Sequence, residues 1–299
     1  MSAINALLQG VLLGGYYALI ACGLAFMYQV MRIINLAHGS LVVIASFAFW
    51  LLAGRWGINP FIALLAIVPA MTLIGWALER GILERSLHHG QLVPLLATFG
   101  LAVVIDNLLF LQFGADPRSL ANFIGSLSYD SWELADELYV GKLAVLIFVV
   151  ALVLLGGLSL FLARTPLGRA IRATSEDPDV VGLVGIDAHR INAFAAAIAL
   201  GTVGVAGLFL PMRGTVTPYS GFGVLLFAFE AVEIGGPGSL WRVLAGGIVL
   251  GVAQSFGALV HPQGFLIAGH SVFLVILIAR VALSRSVLGQ VGARLLRWN

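Results

Sequence analysis

RTPLGRAIRATSEDPDVVGLVGIDAHR, residues 164–190, is the one long polar stretch of this 299-residue chain that carries both signs of charge, with four arginines and four acids set between apolar runs. So many ions in so greasy a chain belong in water, because a charged side chain at membrane depth costs roughly 2.5–3.5 kcal/mol even on a lenient insertion scale. The stretch reads as an ordered loop protruding from a membrane domain, and as the surface on which a soluble partner docks. From Pro166 it reads as a proline-started helix bearing Arg169 and Arg172 on one face. SerGluAspPro at 175–178 reads as a second helix start, with Glu176 and Asp177 at its positive end. The apolar run Val180–Ile186 that follows reads as buried. A bare positive-inside anchor would account for the arginines but not for the interleaved acids.

Working outward, apolar residues make up 60% of the chain and charged residues 10%, with a mean hydropathy of +1.03. In soluble domains roughly a quarter of the residues are charged. The expected fold class is all-α, a polytopic membrane helix bundle of about eight to ten transmembrane or half-membrane helices. Residues 1–299 are expected to form a single transmembrane domain, with 164–190 as its one large loop. The net charge of +2, spread among loops, argues against nucleic acid as a partner. Cys22 stands alone and cannot make an intrachain disulfide. The first charge is Arg32, so the opening apolar run lacks a basic leader and is expected to remain as a helix.

Apolar runs place spans near 8–30, 36–53, 58–78, 92–113, 140–163, 191–212, 222–235, 241–260 and 264–283. The run 222–235 is short and holds two glutamates, so it reads as a half-helix or as continuous with the Pro218 turn; the run 36–53 opens on an Asn/His/Gly cluster and reads as breakable. Alternating the spans puts Arg32, Arg80, Arg85, Arg164, Arg169, Arg172, Arg190, Arg242, Arg280, Arg285, Arg294 and Arg297 on one side. Only Arg55, Arg118, Lys142 and Arg213 fall on the other, where the 114–139 loop also carries Asp116, Asp130, Glu133, Asp136 and Glu137. The arginine-rich side is expected to be cytoplasmic, with the N-terminus periplasmic and the C-terminus cytoplasmic.

Catalytic signals are missing. The chain's one lysine, Lys142, is followed by Leu143, so no phosphate-binding GxxxxGK[ST] loop can be assembled. The His88/His89 doublet reads as solvated, no Cys/His set has metal spacing, and GxSxG is absent. No enzyme, cofactor or metal site is expected.

Buried polar groups remain. Gly14 and Gly15, and the GGPGS stretch at 235–239, read as close-packing glycines of a helix bundle. Asn35, His38 and Ser40 fall within two turns, and Gly39 permits a bend that frees backbone groups for binding; for His38 a packing role and a functional one both stand. Asp106, beside Asn107, is a further acid at membrane depth. Glu230 and Glu233, three apart, share a helix face and could not both stay ionised without a cation, a water-filled cavity or a shared proton. They read as lining a pathway, with a structural hydrogen-bonding role as the alternative.

At these residues the chain resembles the LivH-type permease family of the branched-chain amino-acid ABC importers. The resemblance rests on RIINLAHGS at 32–40, TFGLA at 98–102, GRAIRA through LVGI at 168–186, and GGPGSL at 235–240 followed by GGIVLG at 246–251. It implies a permease subunit of an ATP-driven importer in the bacterial inner membrane. The implied partners are a second, homologous permease, two cytoplasmic ATPases that bind ATP and magnesium, and a periplasmic solute-binding protein. Gly168, Arg169, Arg172, Glu176, Asp177 and Gly185 would touch the ATPase. Asn35, His38, Ser40, Thr98, Asp106, Phe227, Glu230 and Glu233 would belong to the translocation pathway.

The chain departs from the family pattern at Ser40, where Glu is common, at Phe227, where Lys is common, and at Asp106, where Gln is common. Glu230 and Glu233 stand where small or apolar residues are usual. A branched-chain or related amino acid is the expected solute, with urea, short amides and aromatic or other small carboxylates as alternatives within the same importer class. A proton- or cation-coupled secondary transporter using Asp106, Glu230 and Glu233 is the alternative of another class.

Overall fold

The structure, a computed structural model, describes residues 3–87, 90, 92–135, 138–236 and 238–295, with side chains described up to 283 at the C-terminal end. His88, His89, Asp136, Glu137, Pro237 and Arg297, and the side chains of Arg285 and Arg294, lie outside the described residues.

Helices dominate. In order they are α1 (Ala3–Met31), α2 (His38–Trp56), α3 (Pro60–Leu78), which runs through a wider π-helical turn (Glu79–Leu83) into α4 (Glu84–Leu87), α5 (Leu92–Phe113), α6 (Lys142–Arg164), α7 (Pro166–Glu176), α8 (Pro178–Leu183), α9 (Ala188–Arg213), α10 (Gly221–Gly235), α11 (Leu240–Val260) and α12 (Gly264–Leu295). Among the described residues, eight helices are long and apolar enough to cross a membrane. The 15-residue α10 is not among them, so the run 222–235 is a half-helix. The connection after α5 contains an antiparallel hairpin, β1 (Ser131–Ala135) and β2 (Leu138–Gly141), which hydropathy did not reveal.

Contacts between distant segments fix the two ends of the bundle. On the hairpin face, the Gln9 amide donates to the Tyr139 carbonyl at 2.7 Å. On the opposite face, which carries the 164–190 loop, Gln29 reaches the Gly238 carbonyl and Arg280 the Ile234 carbonyl. With α10 included the chain makes nine passes, and the two ends of the described chain lie on opposite faces.

Helix α1 is the axis. Among the crossing helices the buried share is highest in α1, at 89%, and lowest in α12, at 6%, which puts one at the centre and the other at the perimeter. Close approach of backbones makes this possible: Gly10 and Gly14 face Gly247 and Gly251 across the α1–α11 contact. A Cβ at Gly14 would meet the Ile248 amide nitrogen at 2.6 Å, and one at Gly247 the Gly14 carbonyl at 2.5 Å.

The hairpin is held by Lys142, which opens α6. Its ammonium contacts the Asp130 carboxylate at 2.9 Å, and its amide donates to the Asp130 carbonyl at 2.9 Å. The Lys142 hydrogen bond holds the Asp130 carboxyl below its ordinary value of 3.8. A depressed folded-state pKa stabilises the fold above the ordinary value, and that contribution disappears as pH falls through the lower one. Asp130→Asn is therefore expected to lower the melting temperature slightly at pH 6–7, and the gap to the parent protein should close as pH is taken below 3.8. A gap that stays constant over that range would remove this pair from the hairpin's support.

Candidate translocation pathway and coupling surface

Two passes start in mid-bundle. After α1 the chain turns back at Arg32, whose φ of 56° lies in the left-handed region. It then runs without regular structure through residues 33–35 and through a turn at 36–37, closed by the His38 amide on the Asn35 carbonyl, into α2. His38, the first residue of α2, donates from Nε2 to the Ile20 carbonyl at 2.8 Å, so α2 begins beside the middle of α1. The eleven residues of α1 beyond Ile20 rise about 16 Å at 1.5 Å each, so the short segment 32–37 carries the chain back over about that distance. Backbone groups freed by the break are satisfied locally. The Leu36 amide donates to Thr98 Oγ1 at 3.1 Å, and the Ala37 amide to Asn35 Oδ1 at 2.9 Å.

The second break mirrors the first. Following α9, residues 214–220 turn through a Thr217–Ser220 capping box into α10. Gly221 then seats on the start of α2, where a Cβ would meet Ser40 Oγ at 2.7 Å and the Ser40 amide at 2.8 Å. From the other side, a Cβ on Gly39 would collide with the Gly221 carbonyl. Two helix N-termini thus meet at mid-depth, with Asp106 of α5 close to Ser40 beside them.

Above this junction, toward the hairpin face, lies a cavity of about 610 Å³. Its wall includes Tyr16, Ile20, Arg213, Tyr219 and Val224, and Tyr17 and Phe227 also line it. The Arg213 guanidinium sits 4.6 Å from the Tyr16 ring centroid. Side chains from four helices form a continuous belt beside the cavity. Tyr17 stacks on Phe227 at 5.2 Å, and Phe227 on His270 at 6.0 Å with the rings nearly parallel. At one end the Tyr17 hydroxyl donates to Gln254 Oε1 at 2.5 Å, and at the other His270 Nδ1 donates to Glu230 Oε1 at 2.5 Å.

Of the residues expected along the pathway, Phe227 alone lines this cavity. Asn35, His38 and Thr98 are fully buried and hold the backbone of the first break, so their place is in the scaffold. Ser40 and Asp106 sit at the junction. Asn107 is exposed and bonds its own helix at the Val103 carbonyl, 2.7 Å away, so it is not a buried polar group.

Glu230 and Glu233 do not share one environment. Glu230 is 1% exposed and pairs with His270, whereas Glu233 lies 3.9 Å from Arg280. The compensation that two neighbouring acids demand comes from two side chains on α12 that the sequence reading did not connect to them. One signal could have done so: His270 and Arg280 are the titratable residues of the last apolar run. Arg213, Tyr17 and Gln254 were also missed, because nothing local distinguishes them from interface or packing residues.

On the opposite face the 164–190 loop forms the two expected short helices. Thr165 accepts the Gly168 amide at 2.9 Å to cap α7, and Asp177 accepts the Val180 amide at 3.1 Å at the start of α8. Asp187 caps α9 through the His189 and Arg190 amides. Arg169, Arg172, Glu176 and Asp177 point into solvent, while Ile171 and Thr174 turn inward.

Two glycines have backbone roles instead of surface ones. Gly168 is buried where a Cβ would meet Leu162 Cα at 2.6 Å, and Gly185 has a φ of +81°, which favours glycine. Most of the run Val180–Ile186 is not buried: Val180, Leu183 and Val184 are 55%, 86% and 73% exposed, while Val181 turns inward and Ile186 packs partly against the core. Six-residue α8 has just one face against the bundle, so its other apolar residues have nothing to cover them.

Residues 6–289 match the family described as branched-chain amino acid transport system / permease component. The chain is 31% identical over 265 residues to the high-affinity branched-chain amino acid transport system permease protein BraD of Pseudomonas aeruginosa, covering 85% of this chain and 86% of that one. It is 29% identical over 271 residues to the LivH permease of the corresponding Escherichia coli system, with 85% and 86% covered. To the LivM permease of Escherichia coli it is 27% identical over 287 residues, covering 87% of this chain and 66% of that one. No solved structure matches. Matched by that family over nearly its whole length, this polytopic bundle is a transport subunit: the chain belongs to the family of branched-chain amino acid transport permease components.

Proposed function

We propose that this permease is one half of the membrane channel of an ATP-driven importer in a bacterial inner membrane. The observation that carries the proposal is the solvent-facing α7–α8 loop, where Arg169, Arg172, Glu176 and Asp177 stand beside uncovered Val180, Leu183 and Val184. Charge of both signs next to bare apolar surface is what a protein partner takes up. Two cytoplasmic ATPases grip this loop and supply ATP and magnesium chemistry that the chain lacks. Closure of the ATPases moves α7 and α8 as a lever, and the bundle opens alternately to its two faces.

The loop face is cytoplasmic and the hairpin face periplasmic, as the arginine excess on the loop side requires. A second permease, identical or homologous, completes the channel, and a periplasmic binding protein delivers solute to the cavity on the hairpin face. The named relatives belong to branched-chain amino acid systems. A branched-chain or related amino acid is accordingly the solute, carried past Phe227 and the Glu230–His270 pair.

Arg169→Glu tests the docking. Among the described residues the Arg169 side chain hydrogen-bonds to the Arg164 carbonyl at 3.3 Å and is exposed, so the fold should survive. Solute-stimulated ATP hydrolysis and uptake by the assembled importer should both fall about tenfold or more, as loss of a charge pair at an interface does. Normal stimulation would remove Arg169 from the docking surface. Uptake that survives loss of ATP hydrolysis but collapses with the proton gradient would favour secondary transport instead.

A further inference from the structure

We infer that Arg213, braced on Tyr16, holds the carboxylate of the solute in the cavity on the hairpin face, above a floor of stacked rings from Tyr17 and Phe227. The inference rests on the importer reading and narrows the solute to a small molecule that has a carboxylate and an apolar body.

The cavity's chemistry supports this. At about 610 Å³ it has the size of a small-molecule site. Arg213 is the only charged side chain among the residues lining it, and most of the others are apolar or aromatic. None of the ion pairs among the described residues includes Arg213. Its guanidinium is oriented by the Tyr16 ring, 4.6 Å away, which leaves the donor fork free for an incoming anion. A neutral amide such as urea would gain little from such a site, whereas a carboxylate matches the fork in both geometry and charge.

Arg213 stands at the end of α9, and Tyr16 and Tyr17 are consecutive in α1. A carboxylate held by Arg213 therefore sets the rest of the solute against the Tyr17–Phe227 stack in the cavity wall. Glu230 and His270 sit at the far end of that stack, out of the cavity. The bundle thus offers one charged station in the cavity and one polar pair at the outer end of the stack, on α10 and α12.

The test uses the assembled importer in proteoliposomes with its delivering protein, and compares uptake of labelled leucine, benzoate and urea. The parent protein should move at least one of the two carboxylates in preference to urea. Arg213→Gln should cut that uptake about tenfold or more, the size of a lost hydrogen-bonded charge pair. Arg213→Lys should restore part of it, and binding-protein-stimulated ATP hydrolysis should remain in both variants.

Three results would each overturn the inference: unchanged carboxylate uptake in Arg213→Gln, loss of stimulated ATP hydrolysis together with uptake, or a parent protein that moves urea and neither carboxylate. Movement of benzoate without leucine would retire the amino-acid reading and keep Arg213 in its role. Uptake independent of ATP would retire the importer reading without touching the carboxylate station.

Discussion

Gly39→Ala is expected to leave little folded permease, although it adds a single methyl group. The added Cβ would collide with the Gly221 carbonyl oxygen, and it would come within 2.8 Å of the carbonyl carbon and 2.9 Å of the Leu225 amide. These are backbone atoms of the first turns of α10, so no side chain can rotate away. On the α2 side the backbone is pinned by the His38 bond to Ile20 and the Leu36 bond to Thr98. Overpacking of this kind costs about 1–3 kcal/mol or more, a large part of any domain's net stability. Gly223→Ala is the matched control, because a Cβ there meets nothing within 4 Å. It should be neutral or stabilising by up to about 1 kcal/mol. Survival of the monodisperse protein after graded heating in detergent measures both, and equal midpoints for the two variants would refute the account of the junction.

Glu230→Ala is expected to have the second large effect. Removing the carboxylate leaves His270 without its partner and opens a void around a side chain that is 1% exposed. Together these should cost about 2–4 kcal/mol. Glu230→Gln keeps the shape and an acceptor for His270 Nδ1, so it should cost about 1 kcal/mol or less. His270→Ala and the double variant complete the cycle. A coupling energy of about 1 kcal/mol is expected for groups in direct contact, and strict additivity would show that the pair does not hold α12 to α10. Uptake should follow the same order, with Ala more damaging than Gln, since the Phe227 ring is stacked on His270.

The expectations that held and those that failed divide by the range of the interaction. The run 164–190 yielded α7 and α8 because Thr165, Pro166, Asp177 and Pro178 act on their own neighbours. The same reading misjudged Val180–Ile186, because an apolar run looks buried whether a partner covers it inside the chain or outside it. Glu230 and Glu233 were read as one unit from their spacing. Their separation follows from His270 and Arg280 standing ten residues apart on a helix whose position nothing near residue 230 encodes. The cavity was invisible, since it exists only where α1, α9, α10, the turn at 214–220 and the start of α12 converge.

From its residues alone, the chain specifies a membrane bundle, the approximate limits of its nine passes and a charged loop with two capped helices. Transfer from water to lipid and helix capping are settled within about twenty residues of chain. Tertiary structure decided that α1 is the axis and α12 the rim, that α2 and α10 begin at mid-depth against each other, and that Arg213 faces the cavity. Lipid and protein interior are equally apolar, so hydropathy cannot tell a buried helix from an outer one. The choice falls to glycine contacts between backbones, such as Gly14 with Gly247 and Gly39 with Gly221, which have no meaning until both helices are in place.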